Sequence, residues 1–300
     1  MDEYCVALND KNPVAVCLGG KFDGRKVSIA KKDDYQSDEE EDERDPFEQL
    51  DINEFLENLA MMDVRDRMNV VRKLKSREDK TSRYAKKYKD SCKRELKLDG
   101  GQFVILPTER TERVYIAGKS GVGKSTLASM YIREYTEMFP DRRVILVSTH
   151  SDEKAYEMFD ITQIPLDDSF IEKPPELQDL QSALVIFDDC DNLTSKKLSD
   201  AVKAVNNNLI ANGRKYDIHV ITMSHQLMDY SRTRHLLNEA NRVVFFLGGS
   251  AYHNKRYLSV YAGLDKSQIN RVLSLKSRWV CLGLTIPNYF ISQHEVGLIV

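Results

Sequence analysis

The chain lacks any apolar run approaching the ~18 residues that a membrane-crossing helix needs, so it is expected to be soluble and without a membrane span. Its start, Met1-Asp2-Glu3, has none of the basic-then-apolar pattern of a secretory signal. Cysteine is scarce and scattered. Cys5, Cys17, Cys92, Cys190 and Cys281 are odd in number and show no CxxC spacing, which argues against a zinc site and a disulfide framework and predicts free thiols. There is no excess of positive charge: 44 basic residues against 47 acidic ones give a net charge of −3, which excludes a uniformly basic DNA coat protein. No internal repeat is visible.

What is present divides by charge. The 300 residues are 41% apolar and 30% charged, which suits one large or two modest domains. Residues 1–50 read as an N-terminal arm, partly disordered. Val14–Leu18 and Lys26–Ala30 there are either two short strands around Gly19-Gly20 or a loose segment, and an acidic linker, SDEEEDERD, runs from Ser37 to Asp45. Residues 51–100 read as a basic helical segment. Phe55, Leu59 and Met62, then Met68, Val71 and Leu74, recur at spacings of three and four. Fourteen Lys or Arg stand against five acids in 65–97, as either a solvated helix face or a surface for phosphate backbone or another polyanion. Asp99-Gly100-Gly101 stops the helix.

Residues 101–300 alternate strands with helices. Arg113–Ala117, Arg143–Val147, Ala183–Phe187, His219–Met223 and Arg242–Phe246 are apolar on both faces, as in a mostly parallel sheet covered by helices on both sides, and Trp279–Leu282 offers a sixth strand. Ser148 to Gln181 reads as irregular. The first strand enters Gly118-Lys119-Ser120-Gly121-Val122-Gly123-Lys124-Ser125, a full G-x-x-x-x-G-K-[ST] match, and a helix follows from Thr126 to Phe139. Such a loop binds nucleoside triphosphate. Its glycines let backbone N–H groups turn toward phosphate oxygens, the helix start at Ser125 and Thr126 adds its dipole, Lys124 reaches the β/γ phosphates and Ser125 offers its hydroxyl to Mg²⁺.

Further candidates sit at strand tips. Leu184–Phe187 runs into Asp188-Asp189. Asp188 is placed to hold Mg²⁺, while Asp189 either polarises the attacking water or caps the next helix; Asp191 is less favoured for both. The fourth strand ends in Ser224-His225-Gln226, where Gln226 is expected to sense the γ-phosphate, with His225 as runner-up. A GTPase lacks support, because Asn254-Lys255 continues Arg256-Tyr257 rather than N-K-x-D and no D-x-x-G follows a strand. No compact Arg-rich lid marks a nucleotide kinase.

The phosphate loop, the strand ending in Asp188-Asp189, and Gly213-Arg214-Lys215 before a strand ending at Gln226 together resemble the FtsK–HerA superfamily of ring ATPases. Within it the resemblance is to the poxvirus-type genome-packaging ATPases of nucleocytoplasmic large DNA viruses. It covers about residues 102–250; Lys215 and Asp189 depart from the usual pattern, which more often has His or an aromatic residue and Glu there. The resemblance implies a RecA-like ATPase using ATP and Mg²⁺ and forming a homo-oligomeric ring, a pentamer or hexamer. It implies that the ring drives double-stranded DNA into a capsid, with capsid proteins as further partners, in the infected cell's cytoplasm or the virion. Arg214 would act in trans on a neighbour's nucleotide, or be a surface arginine on a helix-to-strand loop, with Arg232 and Arg234 as competing candidates. The competing readings are a regulatory nucleotide-binding module that moves no DNA, and an interaction protein recruiting partners through its basic helices.

Overall fold

The computed structural model describes residues 4–31, 93–149, 154–229 and 233–299, apart from the Asn192 side chain. The acidic tract 37–45, the predicted helices up to residue 92 and Arg232 lie outside them. The chain divides into two compact units, 1–7 with 29–94 and 8–28 with 95–300. In the first unit the described residues hold most of strand β1 (Tyr4–Leu8), and Val6 forms an antiparallel bridge with Lys93. Cys5 is disulfide-bonded, against the expectation of free thiols; Cys17, Cys190 and Cys281 are free.

The second unit contains the chemistry. Strands β2 (Pro13–Leu18) and β3 (Lys26–Lys31) make an antiparallel hairpin, and β2 also pairs with β5 (Gln102–Ile105). Residues 8–28 are therefore a built part of this unit and not a loose arm. β4 (Glu95–Lys97) is a strand where the predicted helix was to end.

The large sheet has six parallel strands: β6 (Arg113–Ala117), β7 (Arg143–Ser148), β8 (Ile161–Pro165), β9 (Ala183–Asp188), β10 (His219–Ser224) and β11 (Arg242–Phe246). An antiparallel group continues it: β12 (Trp279–Gly283), β13 (Tyr289–Ser292), β14 (Glu295–Leu298) and β4. The order is β4-β14-β13-β12-β11-β6-β10-β9-β7-β8. β9, β10 and β11 are buried at every position, which explains their unbroken apolar runs. β10 lies between the phosphate-loop strand β6 and the acid-bearing strand β9, in register Ser224 to Ala117 and Thr222 to Phe187.

Helices cover both faces. On one face Tyr115, Val185, Phe187, Val220, Val243 and Phe245 pack under α2 (Asp168–Glu172), α3 (Lys196–Asn212), α4 (Arg234–Glu239), α5 (Ala251–Val260) and α6 (Lys266–Leu273). α3 begins on Ser195, whose hydroxyl accepts from the Leu198 N–H. On the other face lies α1 (Lys124–Met138), whose Tyr135 ring meets His219 at 5.1 Å, and Met130 packs against Val16, Val104 and Leu106. His219 has no hydrogen-bond partner for either ring nitrogen, and burial lowers its pKa to about 4, so it is a neutral core group.

A buried ion pair locks α1 to the sheet. Arg242 Nε is 3.1 Å from Glu112, whose other oxygen accepts from Tyr131 of α1 at 2.8 Å. The Arg242 guanidinium also donates to the Leu106 carbonyl and to Tyr289. Two charges this deep survive because each is paired and hydrogen-bonded. Among the described residues no helix is long and apolar enough to cross a membrane.

Candidate functional site

The site is built at the C-terminal edge of the parallel strands, where β6 gives way to α1. The loop's shape follows from its glycines. Gly123, at φ 106, has a left-handed backbone that a side chain would strain. At Gly118 a Cβ would come within 2.6 Å of the Phe246 ring and 2.8 Å of Val122, so only glycine lets β6 turn under β11. Lys124 is the first residue of α1 and is almost fully buried. Its ammonium donates to the Gly118 carbonyl at 3.0 Å and lies at 3.5 Å from the Lys119 carbonyl, which folds it back over the loop.

The acids arrive from β9. Asp188 is buried and accepts from the Tyr156 hydroxyl at 3.1 Å. Asp189 follows in a left-handed conformation, φ 50, which Asp tolerates better than most residues. This turn separates the two neighbouring carboxyls. Asp189 stands at the N-cap position of the short helical turn Cys190–Asn192, yet its side chain makes no capping bond. Its carboxylate instead lies 3.0 Å from His225 Nε2.

His225 is the residue that strand β10 brings to the phosphate loop. Its Nδ1 is 3.4 Å from Lys124 Nζ, so its ring joins the loop lysine to Asp189. Lys124, Ser125, Thr126, Asp188, Asp189 and His225 line one cavity of about 300 Å³. Gln226, expected as the γ-phosphate sensor, is exposed and is not part of this cavity; it lines a neighbouring one of about 520 Å³. The reason is the turn after β10. Asp191 Oδ2 accepts from the Ser224 hydroxyl at 2.6 Å and the His225 N–H at 2.7 Å, and the Gln226 carbonyl accepts from the Tyr115 hydroxyl at 2.6 Å. These bonds pin the two residues before Gln226 and turn its backbone away from the loop. Asp191 thus shapes the site by holding His225.

The remaining candidates separate cleanly. Arg214 lies in the short helical turn Gly213–Tyr216, exposed, at the N-terminal end of β10 and so at the sheet edge opposite the phosphate loop. Arg234 opens α4 and lines a different cavity, and Arg232 is outside the described residues. Cys190 beside Asp189 is no nucleophile. Burial, then the carboxylates of Asp191, Asp188 and Asp189, push its thiol well above the ordinary range.

The donor set suits a hard cation. Among the described residues no group of three or more His, Cys, Asp or Glu forms a closed metal cage. The Ser125 hydroxyl and the Asp188 carboxylate are the groups that would hold a Mg²⁺.

A phosphate loop joining strand to helix, with one strand interposed before the strand that carries the acids, defines a P-loop NTPase domain. Its motifs are those through which the sequence resembles the FtsK–HerA ATPases. No family model matches the sequence. "Uncharacterized protein V3" of Sputnik virophage is 35% identical over 214 residues, spanning 70% of this chain and 87% of that protein. The chain belongs to the family of this virophage protein.

Similar solved structures include the genome packaging NTPase B204 from Sulfolobus turreted icosahedral virus 2 in complex with sulfate. It has a TM-score of 0.44 and 13% identity, over 62% of this chain and 98% of B204. The pCW3 conjugation coupling protein TcpA has a TM-score of 0.41 and 11% identity, over 68% of this chain and 65% of that one. The type VII secretion ATPase EccC of Thermomonospora curvata has 0.44 and 13%, over 66% and 28%.

Proposed function

We propose that the chain is a Mg²⁺-dependent ATPase that assembles as a homo-oligomeric ring and moves double-stranded DNA, packaging a viral genome into a capsid. The observation that carries the ATPase part is the single cavity holding Lys124, Ser125, Asp188, Asp189 and His225. The DNA-moving part rests on the FtsK–HerA resemblance of the loop, the Asp pair and Arg214. Membership in the family of a virophage protein supports the viral setting.

Each group has a distinct task in this reading. Lys124 turns from the loop carbonyls to the β/γ phosphates and offsets the charge that builds there in the transition state. Mg²⁺, where bound, would supply Lewis-acid stabilisation of phosphate charge. Asp188, with Ser125, holds that ion. Asp189 orients the attacking water and accepts its proton as general base. His225, its Nε2 3.0 Å from the Asp189 carboxylate and its Nδ1 beside Lys124, fixes the carboxylate and reports on the γ-phosphate in place of Gln226. Arg214, at the far edge of its own sheet, serves the neighbouring subunit.

The reading is tested by phosphate release with and without double-stranded DNA. DNA is expected to raise the rate several-fold, and the gain should shrink steeply between ~50 and 200 mM salt as phosphate contacts are screened. An ATPase rate indifferent to DNA at both salt levels would favour the regulatory nucleotide-binding module instead.

A further inference from the structure

Strand β12 is preceded by an arginine that the motif pattern does not include. The Arg278 N–H donates to Gln293 Oε1 at 2.8 Å, and its carbonyl accepts from the Leu247 N–H at 3.0 Å. Gln293 is itself fixed, its own N–H donating to the Ser277 hydroxyl at 3.1 Å. The backbone at Arg278 is therefore clamped between the end of β11 and the turn after β13. From there its guanidinium reaches the phosphate loop, where Nη2 donates to the Val122 carbonyl at 3.2 Å and stands 3.9 Å from the place of a Cβ on Gly123.

We propose that Arg278 is a nucleotide-binding residue acting within its own subunit, gripping the α/β-phosphate part of the nucleotide from the flank opposite the hydrolytic groups. This deepens the nucleotide-site reading above and rests on it.

Three observations carry it. First, the side chain is exposed, and among the described residues no carboxylate pairs with it, so its charge is free to be used. A guanidinium has five N–H donors in a planar fork, and a single neutral carbonyl leaves most of them open. Second, its neighbour is a loop of the G-x-x-x-x-G-K-[ST] pattern, whose N–H groups serve to hold phosphate oxygens. A phosphate oxygen binds a guanidinium more strongly than a backbone carbonyl does, so bound nucleotide would draw Arg278 off Val122. Third, its side of the loop is defined by strand order. β11 and β12 flank β6 on one side, and β10 and β9 on the other. Asp188, Asp189 and His225 all come from the β10/β9 side, where the γ-phosphate must lie to be hydrolysed. Arg278 comes from the β11/β12 side and meets the part of the nucleotide that is still present after the γ-phosphate has left.

The test is equilibrium binding of ATP and of ADP to the full chain and to Arg278→Ala, Arg278→Gln and Lys124→Ala. Arg278→Ala is expected to weaken both nucleotides alike, by about 10-fold, the loss of one charge-assisted contact. Arg278→Gln keeps an amide that can still donate to the Val122 carbonyl. It is expected to match Arg278→Ala, because the lost property is charge and not support of the loop. Wild-type affinity in both Arg278 variants, with binding lost in Lys124→Ala, would overturn the inference and leave the nucleotide-site reading standing. Wild-type affinity in Arg278→Gln alone would reduce Arg278 to a prop for the loop. Loss of ATP affinity with ADP affinity intact would put the arginine at the γ-phosphate and overturn the α/β assignment. A wild-type chain that binds neither nucleotide would overturn both.

Discussion

Replacing Lys124 by alanine is expected to reduce ATP hydrolysis by at least ~10²–10³-fold, the range seen when a preorganised charge-stabilising group is removed from an active site. The geometry makes the loss specific. Among the described residues Lys124 is the only lysine lining the cavity that also holds Asp188, Asp189 and His225. Its ammonium lies over the loop, 3.0 Å from the Gly118 carbonyl, so it needs little reorganisation to meet a phosphate. The fold should survive. The substitution removes a nearly buried cation from the first residue of α1, and the helix is held to the sheet lower down by the Tyr131, Glu112 and Arg242 bonds. Phosphate release beside a thermal melt reads both quantities. A folded Lys124→Ala chain that turns over ATP at the wild-type rate would remove the phosphate loop from the chemistry.

The second large effect belongs to Arg214. β10 has six residues, so near 3.3 Å per residue its ends lie ~20 Å apart. Arg214 stands before its start, while His225 follows its end at the protomer's own cavity. An arginine side chain cannot cover that distance. In the proposed ring any nucleotide phosphate it touches belongs to a neighbouring subunit, and a finger of this kind would be worth roughly 10³–10⁵ in rate. Arg214→Ala alone and Lys124→Ala alone are therefore both expected to be nearly inactive. Mixed rings place an intact arginine beside an intact phosphate loop at some interfaces, and part of the ATPase activity should return. Verified mixed rings without recovery, or an Arg214→Ala protein active by itself, would leave Arg214 as a surface residue and shift attention to Arg234 and Arg232.

The two expectations rest on different kinds of legibility. The phosphate loop could be read outright, because its chemistry demands four particular residues at fixed spacing, and Gly118, Gly123, Lys124 and Ser125 stand in order over eight positions. The parallel strands were equally visible, since burial on both faces writes them as unbroken apolar runs. β8 was not. As an edge strand it is only half covered, and Ile161-Thr162-Gln163-Ile164-Pro165 looks like the loop around it. β4 is three residues long and its pairing with β14 is close to two hundred residues distant in sequence, so the helical apolar spacing of the residues before it extends over it instead.

At the site, the position of Asp188 is legible from its strand, but which of His225 and Gln226 faces the cavity is not: that is set by Asp191, thirty-four residues away, which accepts from the His225 N–H. Arg278 carries no motif at all. Its place on the phosphate loop depends on the antiparallel turn through Gln293, a tertiary arrangement that local spacing does not encode.

The most direct test of the motor reading is displacement of a third DNA strand from a triplex placed at one end of a linear duplex. The assembled chain with ATP and Mg²⁺ is expected to strip that strand in proportion to ATP consumed, and to leave it in place with ADP or with the Lys124→Ala chain. Sustained hydrolysis on the same DNA with the third strand undisturbed would contradict the account, leaving an ATPase that binds DNA without moving along it.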